Sequence, residues 1–209
     1  MSTILDIEKI LIKLQKRRSI FHSEADFQLE LGWIIKEEYP TASVRMEYCP
    51  SFDDKMHIDI LVIIDDLWIP IELKYKTKSF KKDIDNEYFN LKNHSAKDVN
   101  CYLYLKDIQR IEKVRENTSS FAEGYTIFIT NDLSYSKKPL KDNCIYKDFS
   151  LEEGAIKTGA LSWSADAGTG TTKGISEPIT LTNTYPIHWN VFSKVDTQTF
   201  LYTISKIEK

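Results

Sequence analysis

Asp59, Glu72 and Lys74 are the residues whose types and spacing could do chemistry together. Asp59 lies in His57–Ile64 (HIDILVII), and Glu72 and Lys74 lie in Trp68–Lys76 (WIPIELKYK); both segments are rich in β-branched and aromatic residues and read as strands. Side chains alternate along a strand, so Ile58, Ile60, Val62 and Ile64 share one face while Asp59, Leu61 and Ile63 share the other. In the second strand Ile69, Ile71, Leu73 and Tyr75 oppose Trp68, Pro70, Glu72 and Lys74. If Asp65-Asp66 forms a two-residue turn, Ile64 pairs with Leu67, Ile60 with Ile71, Asp59 with Glu72, Ile58 with Leu73 and His57 with Lys74. A three-residue loop would put the two apolar faces on opposite sides of the sheet, so patterning selects a two- or four-residue loop. Pro70 is awkward in a central strand, and a bulge there would shift the detailed register. Two opposed carboxylates repel unless a cation lies between them, and hard oxygen ligands select Mg²⁺ or Mn²⁺. A lysine beside that ion can orient or help deprotonate a water and stabilise charge on a phosphoryl oxygen, which is equipment for phosphodiester hydrolysis.

The elements around this hairpin follow from periodicity and caps. Residues 3–17 place Ile4, Ile7, Leu11 and Leu14 at helical spacing against Lys9, Lys13 and Lys16. A second helix opens at Ser23, where Ser-Glu-Ala-Asp has capping form, carries Phe27, Leu31, Ile34 and Ile35, and stops before Pro40. Val44–Tyr48 completes a three-strand meander. A third helix is predicted from about Ser95 to Glu116, capped through Ser95 and Asp98, and Tyr125–Thr130 (YTIFIT) is a further buried strand that can return beside the meander. A helix would then cover each face.

The chain has 209 residues, 42% hydrophobic and 28% charged, so it is neither disordered nor collagen-like and is long enough for one domain, 1–209, with a sizeable core. Lys and Arg number 28 against 31 Asp and Glu, a net charge of −3, so any affinity for nucleic acid must come from a local patch. No apolar run spans a membrane and the amino terminus lacks a signal-peptide pattern, which predicts a cytoplasmic protein. Cys49, Cys101 and Cys144 have neither disulfide nor zinc spacing and read as reduced, mostly buried thiols.

Lys76, Lys78, Lys81 and Lys82 follow Lys74 closely, interleaved with Tyr75 and Phe80, which suits a phosphate backbone and equally suits a solvated charge run. The acidic stretch Asp83–Glu87 comes next and would weaken the field. Asn90, Lys92, Asn93 and His94 precede the third helix, whose amino terminus could take a phosphate. Beyond Asn131 the signals weaken. Five of seven glycines fall between 154 and 174, read as a loop or flap without a phosphate-loop motif, and Ile179–Thr182, Ile187–Phe192 and Phe200–Ile204 read as short strands. His57 could reach the site from opposite Lys74, whereas His22 and His188 read as structural.

Asp59, twelve residues, then Glu72-Leu73-Lys74 at the end of a hairpin that follows a helix resembles the D-x(n)-E-x-K motif of the PD-(D/E)XK nuclease superfamily. The resemblance covers residues 20–130, with 131–209 as a loop-rich, β-containing elaboration. It implies an α/β fold with a restriction-endonuclease-like α-β-β-β-α-β core, its mixed central sheet flanked by helices, and a Mg²⁺- or Mn²⁺-dependent nuclease acting on nucleic acid, with DNA the expected substrate. It further implies that Asp59, Glu72 and the main-chain carbonyl of Leu73 bind the metal, that Lys74 is the catalytic lysine, and that a first-helix glutamate assists. Glu24 is the better candidate for that role, being three and seven residues before Phe27 and Leu31, while Glu30 lies at the stripe's margin. One departure from the motif is Ile58 in place of a proline before the aspartate. Two alternatives stay open: a catalytically silent module of the same fold that binds nucleic acid or protein, and hydrolysis of a small phosphate ester.

Overall fold

The structure, a computed structural model, describes residues 4–141 and 144–209. The chain is mixed α/β: a six-stranded sheet with helices on both faces, and two separate two-stranded hairpins. Helix α1 (Ile7–Arg17) starts where Oδ1 of Asp6 accepts the Lys9 N–H, and α2 (Glu24–Glu38) starts where Oγ of Ser23 accepts the Asp26 N–H. Strands β1 (Ser43–Tyr48), β2 (Ile58–Ile64) and β3 (Leu67–Tyr75) form the expected meander. After a hairpin of β4 (Phe80–Ile84) and β5 (Glu87–Leu91), α3 (Lys97–Asn117) crosses to β6 (Glu123–Thr130), which pairs parallel to β3. A 3-10 turn at Lys147–Phe149, β7 (Ile156–Leu161), a one-turn α4 (Thr169–Thr172), β8 (Ile179–Pro186), β9 (Asn190–Val195) and β10 (Gln198–Glu208) complete the chain. The large sheet runs β1-β2-β3-β6-β10-β9.

The hairpin keeps the register that its patterning demands, from Ile64 opposite Leu67 to Ile60 opposite Ile71. Asp65 and Asp66 both take positive φ, 49° and 63°, as a two-residue turn matched to strand twist requires. Pro70 stands opposite Leu61, one of the pairs that exchange no backbone hydrogen bonds in this register, so its missing N–H costs the hairpin nothing. On its other side the pairing with the β6 strand is interrupted at the same point: Trp68 bonds Ser120 O and the Ala122 N–H, and the regular ladder resumes at Ile71.

Apolar residues pack on both faces of the sheet. Phe27, Leu31 and Ile35 of α2 meet Ile60, Val62, Ile69, Ile71, Leu73 and Tyr75. Tyr104, Leu105, Ile108 and Ile111 of α3 meet Phe121 and Phe128 on the other side, where Ile179, Leu181 and Tyr185 of β8 join them. Buried Glu112 of α3 fastens that outer hairpin, accepting from the Thr182 N–H and hydroxyl, the Asn183 N–H and the Tyr185 hydroxyl at 2.7–3.1 Å.

Several expectations are corrected. The first helix begins at Ile7, and Thr3, its expected start, lies outside the described residues. The third helix has Ala96 at its cap, a residue whose side chain cannot accept a cap hydrogen bond, and the Asp98 carboxylate accepts the N–H of Val99, so the expected Ser95–Asp98 cap does not form. The charged stretch 80–87 is the β4–β5 hairpin, turning at Asp85 and Asn86 with φ of 51° and 66°. Residues 154–174 hold β7 and α4 and so are not a plain loop. The strand expected at Ile187–Phe192 is interrupted at 187–189, and the one at Phe200–Ile204 is an eleven-residue strand of the main sheet. All three cysteines are free, but Cys49 is exposed, Cys144 half-buried and only Cys101 buried. No helix of the described residues is long and apolar enough to cross a membrane.

Close packing of α3 on the sheet gives a test. A Cβ at Gly124 of β6 would lie 2.4 Å from Cγ2 of Ile111 and 3.2 Å from the Pro70 carbonyl, whereas one at Gly32 of α2 would meet chiefly the flexible end of Met46. Gly124→Ala is expected to destabilise by about 1–3 kcal/mol and Gly32→Ala by clearly less, as measured by urea unfolding. Equal effects would mean that α3 can lift off the sheet at little cost.

Candidate active site

Asp59 lies where the hairpin ladder ends. Its register would next join Leu73 to Ile58, but the Leu73 N–H donates instead to Oδ2 of Asp59 at 2.6 Å. Across the sheet Glu47 has φ of 50°, and Gln28 of α2 donates to the Asp59 carbonyl at 2.6 Å. Ile58, expected on the face of Ile60, packs instead with the α3-side core. The aspartate side chain thus replaces a main-chain acceptor and is fixed against β3.

Glu72 is 1% exposed, and neither of its carboxylate oxygens accepts a hydrogen bond. It ion-pairs with Nη2 of Arg110 at 3.2 Å. Lys74 extends along β3, ion-pairs with Oδ2 of Asp107 and donates to the Leu73 carbonyl at 3.1 Å. Arg110 also meets Oδ1 of Asp107 at 3.3 Å and donates to the His57 carbonyl. Glu24, in the first turn of α2, accepts from the Tyr75 N–H at 2.7 Å and from Nζ of Lys76 at 2.8 Å, which ties α2 to the end of β3.

The buried cluster therefore brings together Asp59, Glu72 and Lys74, with Glu24 at its edge, and adds Asp107 and Arg110, which sequence reasoning missed. A signal existed: Asp107 falls between Tyr104, Ile108 and Ile111 on the buried stripe of α3, where an acid has no solvent to face. Glu30 lies outside, 4.0 Å from Arg18, and the ring of His57 points to the Glu47 carbonyl instead of to the cluster. The lysine run is dispersed: Lys76 is held by Glu24, Lys78 faces Asp132 at 2.9 Å, Lys82 faces Asp196 at 3.5 Å, and Lys81 pairs across the hairpin with Asn90. His94 accepts the Thr77 N–H at 3.0 Å, so its ring is engaged with the chain after β3.

Three carboxylates, Asp59, Glu72 and Asp107, face two cations, Lys74 and Arg110, leaving one negative charge in excess. Burial pushes the Asp59 carboxyl up to about 6, with the Leu73 N–H pulling the other way. Burial first, then the charges of Asp107 and Asp59, raise Glu72 well above the usual carboxylate range, and burial raises Asp107. Burial disfavours the Lys74 ammonium, but the surrounding carboxylates, Asp107 foremost, win and raise it, so this lysine stays charged.

Among the described residues no group of three or more His, Cys, Asp and Glu side chains is arranged to hold a metal ion. Mg²⁺ needs less, since it keeps several waters and is commonly held by one or two carboxylates. Asp59 and Glu72 fit that requirement: both carboxyls are raised by burial, Glu72 has two buried oxygens that accept no hydrogen bond, and the cluster lacks one positive charge. The Leu73 carbonyl, the third expected ligand, here accepts the Lys74 ammonium. No family model, curated protein or solved structure matches the chain.

The raised Asp59 carboxyl predicts a pH effect. The folded state holds this proton to about pH 6 and the unfolded chain only to about 4, so wild type loses stability as pH rises from 4 to 6 and the cost is complete above 6. Asp59→Asn removes the charge and can still accept the Leu73 N–H. In chelator it is expected to be more stable than wild type by about 2 kcal/mol at pH 8 and no more stable at pH 4, read from urea unfolding at both. A variant equal to wild type at pH 8 would show that the aspartate charge is not under strain.

Proposed function

We propose that this chain is a metal-dependent nuclease of the PD-(D/E)XK kind, hydrolysing phosphodiester bonds in nucleic acid, with DNA as the substrate. The observation that carries the reading is the buried excess of carboxyl groups over cations at the end of β3, with Glu72 oxygens that accept no hydrogen bond and are met only by the Arg110 ion pair. An ion pair kept for stability alone would be completed by donors or replaced by apolar residues. Support also comes from the order of α2, β1, β2, β3, α3 and β6, which follows the α-β-β-β-α-β order of the restriction-endonuclease-like core, with the β4–β5 hairpin inserted.

In this reading Asp59, Glu72 and the Leu73 carbonyl would hold Mg²⁺ or Mn²⁺, which when bound supplies a Lewis acid and a water of lowered pKa. Lys74, kept protonated by Asp107, serves as an electrostatic group that orients the attacking water and stabilises charge on the phosphoryl oxygens, instead of as a base. Glu24 is a positioning residue that fixes the strand end carrying Lys74. A catalytically silent module is the second reading, favoured by one observation: Arg110 and Lys74 already engage Glu72, Asp107 and the Leu73 carbonyl.

Two measurements decide between them. Calorimetric titration with Mn²⁺ is expected to show binding by wild type that Asp59→Asn loses. Linear, circular and branched DNA, and RNA, incubated with Mg²⁺ or Mn²⁺, are expected to be cleaved, with DNA preferred, cleavage abolished by chelator and lowered about 10²-fold or more in Lys74→Ala while Mn²⁺ still binds. Equal Mn²⁺ binding by wild type and Asp59→Asn would remove the metal site, and no cleavage of any substrate would leave the silent module.

A further inference from the structure

Outside the carboxylate cluster, cations converge in a groove of about 300 Å³ between α3 and the turn that follows β1. Its lining carries Lys55, Lys106, Arg110 and Lys113 against a single carboxylate, Asp53. Positions 106, 110 and 113 fall on one face of α3 by helical spacing. Lys106 takes a neutral partner, Oε1 of Gln109 at 2.7 Å, and Lys113 meets Asp53 at 2.7 Å in an exposed pair of the kind that is worth at most about 1 kcal/mol and yields readily to a stronger anion. Arg110 belongs to both places: it lines the groove and reaches Glu72 at 3.2 Å.

We propose that this groove binds the phosphodiester backbone of the nucleic acid and leads it to Glu72, with Lys106 and Lys113 on phosphates and Arg110 at the junction. The proposal rests on the nuclease reading and names the surface by which that site takes its substrate. From Lys106 to Lys113 the helix rises about 10 Å, so the two ammonium groups can sit on different phosphates of one strand. The lysine run after β3 offers no such convergence. Lys76, Lys78 and Lys82 each face a separate acid on a separate part of the chain, Glu24, Asp132 and Asp196.

Fluorescence anisotropy of a labelled DNA duplex of about 20 base pairs, in chelator and across about 50–200 mM NaCl, tests the assignment without requiring catalysis. Lys106→Gln/Lys113→Gln, whose folding is checked by thermal unfolding, is expected to bind about tenfold or more weakly near 100 mM salt and to flatten the log–log salt slope by about 1.8. Lys81→Gln/Lys82→Gln is expected to match wild type. If wild type binds and the groove variant matches it in affinity and slope, the groove is overturned while the nuclease reading stands. If wild type binds no duplex at any salt, the groove proposal falls and the metal-binding and cleavage assays alone decide the nuclease reading.

Discussion

A turn of two residues, Asp65 and Asp66, both in the left-handed region, decides on which side of the sheet every residue of β2 and β3 falls. Side-chain direction reverses at each step along a strand, so a slip of one residue would carry Glu72 and Lys74 into the layer of Phe27, Leu31 and Ile35 and bring Ile69, Ile71 and Leu73 against Asp107. Both outcomes would bury charge without a partner, at a cost of several kcal/mol. The register is thus enforced twice, by the turn at one end of the hairpin and by the polar groups of α3 at the other.

The other end of the hairpin departs from regular pairing. Oδ2 of Asp59 takes a main-chain donor that the ladder would have given to Ile58, and this places a carboxylate inside the sheet beside Glu72. If Asp59, Glu72 and Lys74 only solvated a sheet face, they would be exposed. Instead Glu72 is fully covered and the Lys74 side chain is 12% exposed. Covered, unequal numbers of carboxylates and cations are an expensive way to stabilise a fold, and the expense falls at one place.

How far the sequence disclosed this depended on whether a residue's type agreed with its surroundings. Ser23, Phe27 and Leu31, or Ile60, Val62, Ile69 and Ile71, repeat one message at a fixed period, and both α2 and the hairpin register were legible from them. The carboxylate pair and Lys74 were legible because a turn of known length places them together. Asp107 and Arg110 went unread because acids and bases three apart on a helix ordinarily face water, although the apolar stripe that Asp107 shares with Tyr104 and Ile111 marked it as turned inward. The β4–β5 hairpin was hidden for a related reason: its exposed Lys81, Lys82 and Asp83 read as charge runs, although Phe80, Phe89 and Leu91 anchor it in the core. In β10 the ends carry Gln198, Thr199, Lys206 and Glu208, polar residues that mask an eleven-residue strand.

The carboxy-terminal elaboration bears on the site through α3. A helix that presents Asn100, Asp107 and Glu112 to the interior gains less from apolar burial than one with a wholly apolar stripe, and its hold on the sheet weakens accordingly. The β7–β8 hairpin compensates from outside. Glu112 is satisfied by four donors of β8, Asn100 donates to the Tyr135 hydroxyl at 2.9 Å, and Ile179, Leu181 and Tyr185 cover the apolar surface that remains. Held between sheet and hairpin, α3 keeps Asp107 on Lys74 and Arg110 on Glu72, and the face with Lys106 and Lys113 is left uncovered. The elements beyond residue 131 therefore fix the depth at which α3 meets β3, and with it the positions of the two cations that partly balance the buried carboxylates.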